Sequence, residues 1–175
     1  MRLFYGLSLP ADVRSVTAAC AREAQRTISG RYALCENHHI TLAFLGDVPE
    51  ERIGEARDVL ARCTADFPVP RLTLDGFSYF GKKENGILIL RVKSEPQLEP
   101  LHGQLICALR EADLPADPGP FLAHITLARH ANVPDSLPQC PRISFDAGQA
   151  HVFLSARDHE NILRYTPVHT VSFGE

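Results

Sequence analysis

One pentapeptide, His-Ile-Thr-Leu-Ala, occurs twice in this chain. It spans residues 39–43 and again 124–128, 124 − 39 = 85 positions apart in a chain of 175. An identical five-residue repeat at that distance points to two equivalent units, each built around an equivalent strand. Isoleucine and threonine favour strands, and on a strand residues two apart share a face. His39 and Thr41 are therefore expected to project together, with Ile40 and Leu42 turned towards a core. His124 and Thr126 repeat the pattern, backed by Ile125 and Leu127. If the two strands border one cleft, it holds two imidazoles and two hydroxyls.

The surrounding chain mixes helical and strand periodicities without a regular βαβ alternation, and it carries no Gly-rich nucleotide fingerprint. Residues 2–9 read as a buried strand. Pro10 opens a helix from Ala11 to about Ile28, with Val13, Val16, Ala19, Cys20 and Ala24 inward. A short edge strand is expected at 32–35 and the first motif strand at 38–45. Pro49-Glu50-Glu51 opens a second helix with Ile53, Ala56, Val59, Leu60 and Cys63 on its apolar face. Strands follow at 71–77 and 87–92 around a Lys- and Asn-rich tip. A third helix covers 95–113, with Leu98, Leu101, Leu105, Ile106 and Leu109 inward. The second motif strand runs 121–129, and strands near 142–146, 149–156 and 162–173 close the chain. This order predicts an α+β fold with mostly antiparallel sheet.

A net charge of −3 and a pI of about 6.2 argue against a protein held to long nucleic acid by a broad basic stripe. They leave room for a nucleotide end in a local basic cleft. The five cysteines are scattered, odd in number and without a C-x-x-C pair, which fits a reducing cytoplasm. The opening residues do not read as a secretory leader. No apolar run approaches the ~20 residues that span a bilayer. No membrane association and no protein partner are expected, and the chain is expected to be a monomer.

Paired His-x-Thr elements suit phosphoryl chemistry. One neutral imidazole accepts a proton from water and the other, protonated, gives one to a departing oxygen. An unperturbed pKa near 6.5 makes both states available at neutral pH. Threonine hydroxyls donate to non-bridging phosphate oxygens. His130 falls on the face of His124 and Thr126 by even spacing, which invites a metal reading. Neither motif contains a carboxylate, however, and the cysteines are not placed as ligands, so no metal and no cofactor are expected. His38 is expected to point away from His39, towards a neighbouring loop. Phe44 shares the parity of Ile40 and Leu42 and is expected in the core. Tyr165 is open between packing and stacking on a base. His102, His151, His159 and His169 read as structural or surface groups.

These blocks resemble the 2H phosphoesterases, which are marked by two His-x-Thr/Ser motifs at about this separation. The branch is similar to the RNA 2′,3′-cyclic phosphodiesterases, the LigT-like enzymes historically called 2′-5′ RNA ligases. The resemblance runs through Arg2-Leu3-Phe4-Tyr5-Gly6-Leu7-Ser8-Leu9-Pro10, through residues 36–48 and 121–129, and through Val152-Phe153-Leu154-Ser155 and Arg164-Tyr165. It implies a single domain over 1–175, with two pseudo-symmetric lobes, outer helices and a central cleft. It also implies opening of a terminal 2′,3′-cyclic phosphate to a 2′-phosphate on RNA 3′ ends or small nucleotides. His39 is then the acid and His124 the base. Thr41, Thr126, Arg129 and Tyr165 contact substrate. Ala123 departs from the proline usual before the second motif, and His38 occupies a position that is usually apolar. Arg129 poses a geometric problem, because strict alternation puts it opposite His124 unless the strand bulges. Main-role RNA 2′-5′ ligation, a non-catalytic nucleotide- or RNA-binding module, and a metallohydrolase are the alternatives.

Overall fold

The computed structural model describes residues 1–174. Its strands are β1 (Arg2–Ser8), β2 (Arg31–Tyr32), β3 (His39–Asp47), β4 (Arg71–Phe80), β5 (Gly86–Glu95), β6 (His124–Ala131), β7 (Ser144–Asp146), β8 (Gln149–Arg157) and β9 (Leu163–Ser172). The helices are α1 (Ala11–Gln25), α2 (Ile53–Ala65) and α3 (Glu99–Glu111). The expected α+β class holds, and the strand pairs are antiparallel. One curled sheet runs β7-β4-β5-β6-β3-β1-β8-β9, with β2 added to the edge of β6. The order divides at the β6/β3 junction into two groups of four. In each group a central strand leads through a helix to a motif strand: β1, α1, β3 in one and β5, α3, β6 in the other.

The groups meet at a single strand pairing, Ile40 opposite Ile125. Both side chains are fully buried, at the midpoint of a core that includes Leu42, Leu127, Leu60, Leu90, Leu101 and Leu105. The two motif strands share the same burial sequence over their first six positions, half-buried and buried residues giving way to an exposed sixth. The duplicated pentapeptide is therefore duplicated in space.

Several boundaries shift from those expected. Residues 35–37 form a short 3₁₀ turn, which leaves β2 only two residues. β6 begins at His124 rather than Phe121, and α3 begins at Glu99 rather than residue 95. On α1 the inward face is Val13, Thr17, Cys20, Ala21 and Ala24, with Ala19 turned to solvent. Thr17 is tolerated there because its hydroxyl is satisfied twice, by the Arg14 carbonyl at 3.0 Å and by His38 Nδ1 at 2.8 Å. Tyr5 is buried in the same way, donating to the Ala56 carbonyl at 2.6 Å.

Candidate active site

At the leucine of the pentapeptide each motif strand carries an extra residue relative to its neighbour. On β3, Ala43 faces Tyr5 and Thr41 faces Gly6, so Leu42 is unmatched. On β6, Ala128 faces Leu88 and Thr126 faces Ile89, so Leu127 is unmatched. Two residues then oppose one, which is a β-bulge, and the side-chain alternation reverses beyond it. Leu42-Ala43 and Leu127-Ala128 are consecutive buried pairs for this reason. The bulge carbonyls are used: His102 Nδ1 approaches Leu42 O at 2.8 Å, and the Ala33 amide donates to Leu127 O at 2.8 Å.

The reversal brings Arg129 onto the face of His124 and Thr126, which removes the difficulty raised by strict alternation. It also overturns the expectation for Phe44. Phe44 is the counterpart of Arg129 on β3, and it is 43 % exposed on the face of His39 and Thr41 rather than in the core. The same reversal takes His130 out of the series it was expected to share with His124, and a second irregularity leaves it unmatched between Arg129 and Ala131. His130 has φ +52° and its Nδ1 meets Asn85 Oδ1 at 2.8 Å. Among the described residues no three His, Cys, Asp or Glu side chains are grouped as metal ligands.

Both motif imidazoles are held alike. His39 Nδ1 lies 2.7 Å from Asn37 O, and His124 Nδ1 lies 2.6 Å from Leu122 O. A carbonyl only accepts, so Nδ1 carries a proton in each ring and Nε2 is the atom left for chemistry. His39 Nε2 meets Thr41 Oγ1 at 3.0 Å. Ring contacts fix the tilt further. Phe4 and Tyr165 lie 4.8 and 4.9 Å from His39, with Tyr165 edge-on, and Phe80 stands edge-on to His124 at 5.0 Å. Tyr165 is thus brought to the site as a wall against His39. Thr41 and Thr126 share the face of the two histidines, across from Gly6 and Ile89. Gly6 keeps that floor low: a Cβ there would come 2.9 Å from the Ile40 carbonyl oxygen.

Some groups escaped the sequence reading. Asn37 is buried and braces His39 from behind. Its Nδ2 donates to Leu163 O at 2.7 Å and its Oδ1 accepts from the Tyr165 amide at 3.1 Å, tying β9 to the residue whose carbonyl holds the ring. Nothing in the local pattern marks it, because its partners lie over 120 positions away. His151 is also placed near the site, with Nε2 2.9 Å from Ser8 Oγ, and Ser8 stands opposite His39. His38 does point away from His39, but it packs on α1 and not on a loop. It is 2 % exposed, and burial together with the Arg14 charge holds its pKa down to about 4.

Burial also lowers the pKa of both motif histidines, overcoming the carbonyl contacts that favour their charged forms. His39 falls to about 4, with the His124 and Arg129 charges adding to the effect, and Arg129 acts on His124 in the same sense. In the free site the His39 ring is therefore neutral near pH 6, and the His124 ring gives up its proton more readily than a free imidazole. An anion lodged among them favours the protonated rings and raises their pKa. Binding then takes up protons between the free and bound values. Calorimetry of sulfate binding at pH 6, in two buffers of different ionisation enthalpy, is expected to show net uptake, since sulfate does not itself titrate there. Binding without uptake would place the anion away from the rings.

Residues 10–157 match the family model described as the 2′-5′ RNA ligase superfamily. The chain belongs to the 2′-5′ RNA ligase superfamily. The RNA 2′,3′-cyclic phosphodiesterase of Thermus thermophilus is 32 % identical over 143 residues, covering 74 % of this chain and 68 % of that protein. The RNA 2′,3′-cyclic phosphodiesterase of Thermotoga maritima is 29 % identical over 137 residues, 77 % of this chain and 73 % of that one. In fold, the crystal structure of E. coli LigT complexed with 3′-AMP superposes with a TM-score of 0.84. The match covers 99 % of this chain and 98 % of that one, at 24 % identity. The 2H phosphoesterase resemblance drawn from the two motifs thus holds for the family and for the architecture. No helix of the described residues is long and apolar enough to cross a membrane.

Proposed function

We propose that this member of the superfamily is a cyclic phosphodiesterase that opens terminal 2′,3′-cyclic phosphates on RNA ends or small nucleotides to 2′-phosphates. One observation carries the reading. Two imidazoles from opposite halves of the sheet, each locked through Nδ1 to the carbonyl two residues before it, flank the Ile40–Ile125 junction on a face shared with Thr41, Thr126 and Arg129. Binding alone does not need two proton-transfer groups held in matching tautomers. The names of the sequence relatives supply the substrate class.

In this reading His124 Nε2 takes the proton of the attacking water and His39 gives its proton to the departing O3′. The His39 ring, neutral in the free site, acquires that proton when the anionic phosphate arrives. Thr41 and Thr126 donate to the non-bridging oxygens, and Arg129 balances the charge that builds on phosphorus. No step requires a metal. Phe44, exposed across the junction from Arg129, offers a ring for the base, while Tyr165 holds His39.

The test is a panel of 2′,3′-cyclic nucleotides and RNA ends with EDTA present, reading the regioisomer by chromatography. Hydrolysis to the 2′-phosphate at an undiminished rate is expected. Activity abolished by EDTA and restored by Zn²⁺ or Mn²⁺, or 2′-AMP binding without turnover of any cyclic substrate, would overturn the reading. Joining of cyclic ends to 5′-hydroxyl ends faster than hydrolysis would reassign the direction.

A further inference from the structure

The sheet face that carries His39 and His124 has two ends, or mouths, and these are chemically opposite although the backbone that forms them is duplicated. On one side β2 pairs with β6 so that Arg31 stands directly opposite Arg129. Cross-strand partners share a face, so the bulge that turns Arg129 to the face of His124 places Arg31 on that face too. On the other side the counterpart of Arg129 is Phe44, whose carbonyl accepts from the Asp117 amide at 3.0 Å. One mouth is therefore doubly cationic and the other is aromatic, beside an exposed acid.

The cationic mouth is unbalanced by the standards of this molecule. Like charges directly opposite across strands repel. Elsewhere the sheet pairs opposite charges, as Arg71 does with Asp146 and as Arg91 and Lys93 do with Asp75. Among the described residues neither Arg31 nor Arg129 has a carboxylate partner, and both are exposed. Nor is β2 a loose tail. The Ala33 amide bonds to Leu127 O, and Tyr32 donates to Ile28 O at 3.0 Å, so Arg31 is held beside Arg129. Arg31 lies about one strand spacing, ~4.8 Å, beyond Arg129 along the edge where β3 leaves β6. That spacing suits a second phosphate better than a second contact to the reacting one.

We infer that Arg31, one strand beyond Arg129, binds the phosphate on the 5′ side of the terminal nucleotide, while Arg129 stays on the reacting phosphate. The site is thereby adapted to an RNA 3′ end rather than to a free cyclic mononucleotide, with the terminal base directed to the Phe44 mouth. This rests on the function proposed above. Arginine's planar fork grips a phosphate through two N–H donors, which gives both affinity and direction.

The experiment compares adenosine 2′,3′-cyclic phosphate with the same compound bearing a 5′-phosphate, and with a dinucleotide ending in a cyclic phosphate. The wild type is expected to prefer the two longer substrates in kcat/KM by roughly tenfold or more, the loss of one charge-assisted contact. Arg31→Ala is expected to bring that ratio close to one, and Arg31→Lys to restore part of it. Thermal melting checks that the variants are folded. A ratio that stays unchanged in Arg31→Ala, or a wild type with no preference, overturns the inference. Calorimetric binding of adenosine 2′,5′-bisphosphate against 2′-AMP reads the same contact without turnover. Loss of the preference between those two ligands in Arg31→Ala supports the subsite even if no cyclic substrate is hydrolysed, and an unchanged preference counts against it.

Discussion

Alanine in place of His39 or of His124 is expected to lower turnover of 2′,3′-cyclic substrates by about 10²–10⁴, the usual worth of one general acid or base, with the fold intact. Both rings are half-buried at the sheet surface and outside the fully buried core, so their loss removes proton transfer more than packing. The double variant is expected to fall little below the worse single variant, because the two groups act in one reaction and lose their value together. The readout is kcat/KM against pH, which should lose one limb of its bell in each single variant. A second readout separates chemistry from damage. The His124 charge depresses His39, so His124→Ala is expected to raise the His39 pKa from about 4, followed by NMR titration of the ring. Either single variant turning over at near wild-type rate would end the two-histidine assignment.

Ile125→Ala is expected to cost about 2–5 kcal/mol of stability, read as a lower urea midpoint with unchanged slope. It is also expected to reduce activity out of proportion. Ile125 is fully buried and forms the one pairing that joins β6 to β3. The cavity left there lies under the seam between the two imidazoles, where a small displacement of either strand spoils their alignment on a single phosphorus. Leu72→Ala is the control, since Leu72 is equally buried on β4, two strands from β6 in the sheet order. Similar destabilisation is expected there with much smaller loss of kcat/KM at temperatures where both variants are folded. Equal activity losses in the two variants would mean that the junction does not set the geometry.

Much of the site is legible in the amino-acid sequence. Because the repeat is identical, the two strands had to adopt the same local structure, and the His-x-Thr spacing put each pair on one face. The apolar positions at 40, 42, 125 and 127 had to be buried, and they are. The helices followed from 3.6-residue periodicity and strong starts at Pro10 and Pro49. Alternation carried straight through Leu42 and Leu127 predicts the wrong face for the residues beyond them. A bulge leaves no mark of its own in five residues that are all good strand formers. Strict alternation therefore puts Phe44 inward and Arg129 away from His124, and the bulges reverse both. The shift of α1's inner face to Thr17 has a different origin, because its hydroxyl is satisfied by the Arg14 carbonyl one turn back and by His38, a partner the helical pattern does not show.

By itself the sequence determined the local and repetitive features: two equivalent motif strands, their buried and exposed faces, the helices between them, and the type of chemistry that paired imidazoles and hydroxyls support. Those depend on neighbours within a few residues, where periodicity and side-chain chemistry act directly. Tertiary structure alone decided the relations across the sheet. It set the single Ile40–Ile125 contact, the bulges that turn Arg129 and Phe44 to the cleft, the brace from Asn37 to β9, and the approach of Arg31 to Arg129. Each is a pairing register between segments far apart in the chain, settled by which arrangement buries both halves of the core while satisfying the backbone at their seam.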